Sequence, residues 1–273
     1  MVFSERNSIE DHNLQQIQDL NQRGGRMLSI VDLLSAGTLN LEMAAFLLYS
    51  QLENKSFLTA ANPSGTGKTT LMGAMLNLLK PGIKIKTLTG KPDNTLKKAD
   101  LKEVRFLIHE LGQGPYYSYL WGQEAAQFFR LGQKSSLASC IHADTLAELK
   151  NIVFQPPISI SQKELANIDL ILFMCRERGG VFSSRRRVTN IYAYFSPQNE
   201  YKSLFEWDKE SDSFSKSNFW HEYLKEEFCS PEIELAKLKK LLKDYASFFA
   251  KLEKREIVSL KNVRKKVLEV LTL

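Results

Sequence analysis

The sequence predicts an α/β fold: a mostly parallel sheet covered on both faces, antiparallel strands at one edge and a helical C-terminal extension. Three observations carry this. Apolar runs of strand length ("SFLTAA", "IKIKTLT", "VRFLIHE", "SLASCIH" and "DLILFMC") alternate with helical or loop segments between residues 56 and 175. The first run leads straight into a glycine-rich stretch and a helical pattern, "NPSGTGKTTLMGAMLNLLK". After residue 176 the alternation stops, and "RRVTNIYAYF" returns beyond a Gly-Gly turn region, so it and "DLILFMC" are expected to pair as antiparallel strands.

Taken in order, residues 1–27 are polar and weakly periodic, end in "RGGRM", and read as a loose N-terminal arm. Residues 28–200 form the α/β domain, and residues 201–273 the helical extension. "LSIVDLLSAG" reads as a short helix capped by Ser29 and stopped at Gly37, and "NLEMAAFLLYSQLENK" as a longer one capped by Asn40. "KTTLMGAMLNLLK" is helical until Pro81-Gly82 breaks it. From residue 216 the chain is charged and helical in up to three segments, with Pro231 placed in the first turn of the second. These helices carry mixed charges on one face and Leu, Ile and Phe on another, the pattern of helices packed on their own domain.

With 273 residues, 43% hydrophobic and 25% charged, the composition is that of an ordinary globular chain. No apolar run approaches the ~20 residues of a membrane span. The start, "MVFSERNSIEDHNLQQ", has acids and no apolar segment, so it is not read as a signal peptide. Cys140, Cys175 and Cys229 are too few and too scattered for a disulfide framework or a zinc site, and fit a reducing cytosol. The net charge of +6 is a modest excess, read as a solvated basic surface. No aromatic-plus-basic stacking stretch is present, so nucleic acid is not an expected partner.

The stretch "LTAANPSGTGKTTLM" has the order of a phosphate-binding loop: a strand ends, the backbone wraps an anion, and a helix starts with its N–H groups aimed at it. The loop is Asn62, Pro63, Ser64, Gly65, Thr66, Gly67, Lys68, Thr69 and Thr70. Gly65 and Gly67 give the conformational freedom of the wrap. Lys68 would reach the β- and γ-phosphates of ATP, and the Thr69 hydroxyl would hold Mg2+. Only the first position departs from the Gly-x4-Gly-Lys-Ser/Thr pattern. Asn62 stands there, and asparagine is the next residue most tolerant of positive φ. Further on, "CIHADTLAEL" places His142 at the end of an apolar strand, at the sheet edge where α/β proteins bind ligands.

Together, "LSIVDLLSAGTLNLEMAAFLL", "NPSGTGKTTLMGAMLNLLKPGIKI", "CIHADTLAEL", "IDLILFMCRERGG", "RRRVTNIYAYF" and "SLFEWDKESDSFSKS" resemble the type II/type IV secretion ATPase superfamily. The archaeal archaellum and pilus assembly branch is the nearest in pattern, over roughly residues 27–270. The resemblance implies a RecA-like P-loop NTPase core, working as a hexamer in the cytoplasm at the base of a membrane machine and docking on a membrane-embedded platform protein. It places Glu110 where the family's Walker B glutamate helps to hold magnesium and polarises the attacking water. It also matches His142 to the family's histidine box.

The sequence departs from the family in four places. Asn62 replaces a glycine. "TLTGKPDN" stands where the family carries an acidic box, leaving Asp93 as the nearby acid. The segment that supplies arginines in the family is shortened to "KPDNTLKKADLKEV", while "LGQGPYYSYLWGQEAAQFF" adds residues after Glu110, and Glu124 offers an alternative register for the Walker B acid. Residues 1–27 are too few for the family's separate N-terminal domain. Arg176, Arg178, Arg185, Arg186 and Arg187 could stand in for the lost arginines or be a solvated strand end. A nucleophilic water needs a placed carboxylate, so losing the acidic box bears on hydrolysis more than on binding. The second expectation is therefore a nucleotide-binding, weakly hydrolysing subunit that assembles with a complete ATPase.

Overall fold

The computed structural model describes residues 2–21, 24–90, 101–179, 183–231 and 233–271. Helices α1 (Val2–Asp19), α2 (Ile30–Ser35) and α3 (Leu41–Leu52) come first. Strand β1 (Phe57–Ala60) leads through the glycine-rich loop into α4 (Lys68–Leu76), followed by β2 (Lys84–Thr87) and β3 (Val104–Leu107). Two short strands, β4 (Glu110–Leu111) and β5 (Tyr119–Leu120), precede α5 (Gln123–Leu131), β6 (Ser136–Ile141), α6 (Leu146–Phe154) and α7 (Gln162–Leu165). A long pair, β7 (Leu170–Gly179) and β8 (Ser183–Phe195), continues into β9 (Glu200–Asp208) and β10 (Ser213–Lys216). Helices α8 (Trp220–Phe228), α9 (Leu235–Lys254) and α10 (Leu260–Val270) follow.

The sheet order is β10-β9-β8-β7-β1-β6-β3-β2, with β4 added beside β6 and β5 beside β4. Strands β7, β1, β6, β3 and β2 run parallel, and β8, β9 and β10 are antiparallel additions at the β7 side. This is the expected α/β class, with "DLILFMC" and "RRVTNIYAYF" paired as their apolar patterns predict. All four residues of β1 are buried, because a central parallel strand covered on both faces cannot present a polar side. Its central place matters for the site. The loop leaving β1 emerges between the C-terminal ends of β6 and β7, so residues just past those strands converge on it.

The two faces have separate cores. One gathers α1–α4 and α8–α10 around Phe46, whose ring meets those of Phe205, Trp220, Tyr223 and Phe228 at 5.3–6.4 Å. The other lies under α5–α7 and includes Phe106, Phe128 and Phe129. Helix starts follow the caps read from sequence. Ser29 forms a capping box with Asp32, and the Asn40 side chain accepts from the Met43 N–H. Helix α9 turns Leu238, Leu242, Tyr245, Phe249 and Leu252 inward against its own domain. Among the described residues no helix is long and apolar enough to cross a membrane.

Three local expectations are corrected. The segment read as a loose arm contains helix α1, docked along the edge strand β2. Asn13 donates to Ile83 O at 2.8 Å and accepts from Ile85 N at 2.8 Å, and Thr87 Oγ1 donates to Gln16 at 2.7 Å. Asn13 thereby satisfies open backbone groups at the edge of the sheet, and Gln16 a side chain of the edge strand. A helix whose inner face alternates amides with Leu14 and Ile17 has a weak apolar periodicity to read. Arg264 of α10 then grips Glu10 through Nε and one terminal nitrogen, at 2.6 and 2.8 Å. The extension beyond residue 200 is first a hairpin, β9–β10, and only then helical. Pro231 precedes α9, because Ser230 and Ile233 exchange backbone hydrogen bonds in a turn that delays the helix to Leu235.

Candidate functional site

The glycine-rich loop joins β1 to α4. Gly65 and Gly67 have φ of 87° and 108°, the left-handed region where a side chain is strained. Gly67 is the N-cap of α4 and offers no side-chain cap, so the first N–H groups of that helix remain available to an anion in the hollow of the loop. Asn62 does not use positive φ, contrary to expectation, since a residue preceding proline is held extended. Pro63 and Ser64 lie exposed on the lip, Thr69 and Thr70 are half-buried in the first turn of α4, and Thr66 is buried. The Thr66 hydroxyl has no hydrogen-bond partner among the described residues.

Lys68 is 5% exposed, and its ammonium turns back under the loop. It donates to Ala61 O at 3.1 Å and lies 3.2 and 3.3 Å from the two ring nitrogens of His142. Glu110 Oε1 is 3.8 Å from Lys68 Nζ and 2.7 Å from His142 Nε2. Neither neighbour meets that buried oxygen in hydrogen-bonding geometry, so it keeps unused acceptor capacity facing the loop. Lys68, Glu110 and His142, far apart in sequence, are thus one cluster beyond the C-terminal ends of β1, β3 and β6. Glu124, the alternative acid, lies in the first turn of α5 instead. A cleft lined by Asn54, Lys55, Ser136 and Asp169 opens at the opposite end of the sheet and shares no residue with this cluster.

The added residues after Glu110 have a structural role that the sequence did not disclose. They fold back so that His109 N donates to Ser118 O at 2.9 Å and Tyr119 stands opposite Glu110 in the β4–β5 pair. The Tyr119 hydroxyl donates to Glu110 Oε2 at 3.3 Å. Burial and then the neighbouring Glu110 charge push the tyrosine up to about 12, so it stays a donor at neutral pH. Under the loop, burial likewise pushes the Cys140 thiol up to about 12, which leaves it an inert packing group against Thr59 and Met72.

Asn62 earns its place through partners. Its N–H donates to Asp144 Oδ1 at 2.6 Å, its amide nitrogen to Glu148 Oε1 at 3.3 Å, and its amide oxygen lies 3.1 Å from His142 Nδ1. Asp144 N in turn donates to Glu148 Oε2 at 2.7 Å. The histidine segment is therefore stitched to the start of the loop by side chains a glycine lacks.

Period-2 alternation sorts the arginines of β8. Arg185 pairs with Glu177 and Asp212, and Arg187 with Asp212 and Ala36 O. Hydrogen bonds from Arg187 and then Trp207 hold the Asp212 carboxyl well below the usual range. Arg186 points the other way, and its Nε donates to Gly65 O of the loop at 3.2 Å. The Arg178 side chain, Asp93 and the rest of residues 91–100 lie outside the described residues.

No protein-family model matches the chain. An uncharacterized protein of Methanocaldococcus jannaschii is 25% identical over 210 residues, which covers 68% of this chain and 77% of that one. Among solved structures, the VirB11 ATPase of the Brucella suis type IV secretion system aligns at 17% identity with a TM-score of 0.40, over 62% of this chain. The Legionella pneumophila ATPase DotB aligns at 10% identity with a TM-score of 0.35, over 85% of this chain. The chain spans 55% and 66% of the length of those two structures. Likeness at this level says nothing of activity.

The cluster's own chemistry is more specific. A buried ammonium beside an uncapped helix start suits a polyphosphate. A buried carboxylate oxygen with spare capacity suits a cation or the proton of a water. Among the described residues no group of three His, Cys, Asp or Glu side chains could hold a metal alone. Magnesium takes one or two protein ligands and completes its shell with phosphates and water, so the Thr69 hydroxyl and the Glu110 carboxylate are the groups here that would suit it.

Proposed function

We propose that the chain binds ATP with magnesium at this loop and is a motor ATPase of the kind that drives type II/type IV secretion or pilus and archaellum assembly. The observation that carries the nucleotide reading is the buried Lys68–Glu110 pair, 3.8 Å apart at the mouth of a loop whose two glycines have left-handed backbone. The loop N–H groups from Gly65 to Thr70 bind the phosphates, and Lys68 leaves Ala61 O for the phosphate tail. The Thr69 hydroxyl and Glu110 hold the magnesium ion, which neutralises phosphate charge when bound. Glu110 also orients water for attack, and His142, touching both Lys68 and Glu110, adjusts to what the loop holds. The assembly reading, a hexamer seated on a membrane-embedded platform protein at the cytoplasmic face, rests on the sequence resemblance.

A second reading is kept because one observation favours it. Leu88, Thr89 and Gly90 follow β2 with no carboxylate where the resembled family carries its acidic box. The chain would then bind nucleotide, hydrolyse it slowly and act as a switch within a complete ATPase. Measuring ATP binding and ATP turnover on one purified sample, with Lys68→Ala as control, tests both. Binding and turnover that both vanish in Lys68→Ala support the motor, and binding without turnover supports the switch. No binding by the wild type refutes the nucleotide site.

A further inference from the structure

We propose that Arg186 binds the terminal phosphate of a nucleoside triphosphate held by the loop of the same chain, with Arg176 beside it. This inference rests on the nucleotide reading of the loop and adds a binding group to it.

Three observations converge on this pair. First, Arg186 is the member of the Arg185–Arg187 run that alternation turns toward the loop; its Nε donates to Gly65 O at 3.2 Å, and its Cδ would lie 3.2 Å from a Cβ placed on Gly67. The guanidinium is therefore already against the phosphate-binding backbone and needs only a side-chain rotation to leave one neutral carbonyl for an anion. Second, Arg176 is the cross-strand partner of Arg186 in the β7–β8 register, so the two side chains leave the same face of the sheet. Met174, two residues before Arg176, reaches to 3.3 Å from the same Gly67 position, which fixes that face as the one toward the loop. Third, the other two arginines are neutralised by Glu177 and Asp212, whereas among the described residues no carboxylate pairs with Arg176 or Arg186.

Like charges directly opposite on a sheet are destabilising. An exposed arginine pair without a carboxylate, set over a phosphate loop, becomes favourable once an anion lies between the two groups. Guanidinium groups suit that task, since their planar fork meets phosphate oxygens in pairs. The terminal phosphate is the part of a triphosphate that carries most charge away from the loop glycines and Lys68, and ADP lacks it.

The experiment measures ATP and ADP affinity for the wild type, Lys68→Ala, Arg186→Gln, Arg186→Lys and Arg176→Ala, with thermal melting of each unliganded protein. Arg186→Gln keeps an N–H for Gly65 O and removes the charge, so it separates phosphate binding from loop support. The expected result is about a tenfold or greater loss of ATP affinity, the size of one charge-assisted hydrogen bond, with ADP affinity changed by less than about threefold. Arg186→Lys recovers part of the loss, Arg176→Ala shows a smaller loss of the same kind, and none of the three arginine variants melts lower than the wild type without ligand. Unchanged ATP affinity in Arg186→Gln, or equal losses for ATP and ADP, overturns the inference while leaving the nucleotide site standing. A wild type that binds neither nucleotide overturns both, and a site abolished by Lys68→Ala alone overturns only this one.

Discussion

The claim that Lys68 and Glu110 form one site can be tested without any ligand, by a double-mutant cycle on folding stability. The variants are Lys68→Ala, Glu110→Gln and the two combined. At 3.8 Å, and with an effective dielectric of about 20, two unit charges attract by about 4 kcal/mol. Two features reduce this. The contact lacks hydrogen-bonding geometry, and His142, whose side chain is 45% exposed, brings solvent to one side and lies 2.7 Å from the same carboxylate oxygen. We therefore expect a coupling of about 2 kcal/mol, within the range seen for contacting residues. His142 remains as a neighbour for Glu110, so Lys68→Ala alone costs less than the ~3–5 kcal/mol of stripping a buried pair bare. Urea unfolding followed by the fluorescence of Trp121, Trp207 and Trp220 gives the four free energies. Additivity to within about 0.5 kcal/mol would mean that the two side chains do not act on each other, and would remove the basis for a shared site.

Two further predictions concern the scaffold. Glu10→Ala leaves the Arg264 guanidinium buried with Leu79 O in place of its carboxylate, so it should cost about 3 kcal/mol and lower the melting temperature by on the order of 10 °C; no shift would mean that α1 is not docked on α10. Burial holds the His109 imidazole down at about 4. As pH falls, the unfolded chain takes up this proton near the ordinary 6.5 and the folded chain only near 4. Stability should therefore be lost between those values, by about 3 kcal/mol, and His109→Phe should flatten that limb of the pH–stability curve.

The legible parts of this chain are those encoded locally. A buried strand next to glycines and a helical run could be read at β1–α4, and the caps at Ser29 and Asn40 follow from side chains adjacent to the backbone they serve. Residues 2–19 are hard to read because their inner face mixes Asn13 and Gln16, which serve β2, with Leu14 and Ile17, which enter the core. Arg105, an arginine inside a strand, would be expected at the surface. It is fully buried, donating to the Gln51 and Asn54 side chains at the end of α3 and to Ser136 at the start of β6, a set of partners no window of sequence contains. Tyr119 was missed for a similar reason. Its value comes from the fold-back of the residues after Glu110, and the only signal was that an insertion stood there.

The geometry also bears on which carboxylate could serve hydrolysis. Three acids, Glu110, Asp144 and Glu148, lie at the loop with defined partners. Asp144 is spent on the Asn62 N–H, and Glu148 divides its oxygens between the Asn62 amide and the Asp144 N–H. Both therefore brace the loop through Asn62. Glu110 gives one oxygen to Tyr119 and keeps the other buried without a hydrogen bond. Of the three, Glu110 is the acid whose free-acceptor oxygen also lies against Lys68 and His142, at 3.8 and 2.7 Å, where a water in line with a bound phosphate would meet it. Whatever rate the chain achieves, its dependence on Glu110 should exceed its dependence on Asp144 or Glu148, whose removal should loosen nucleotide binding first.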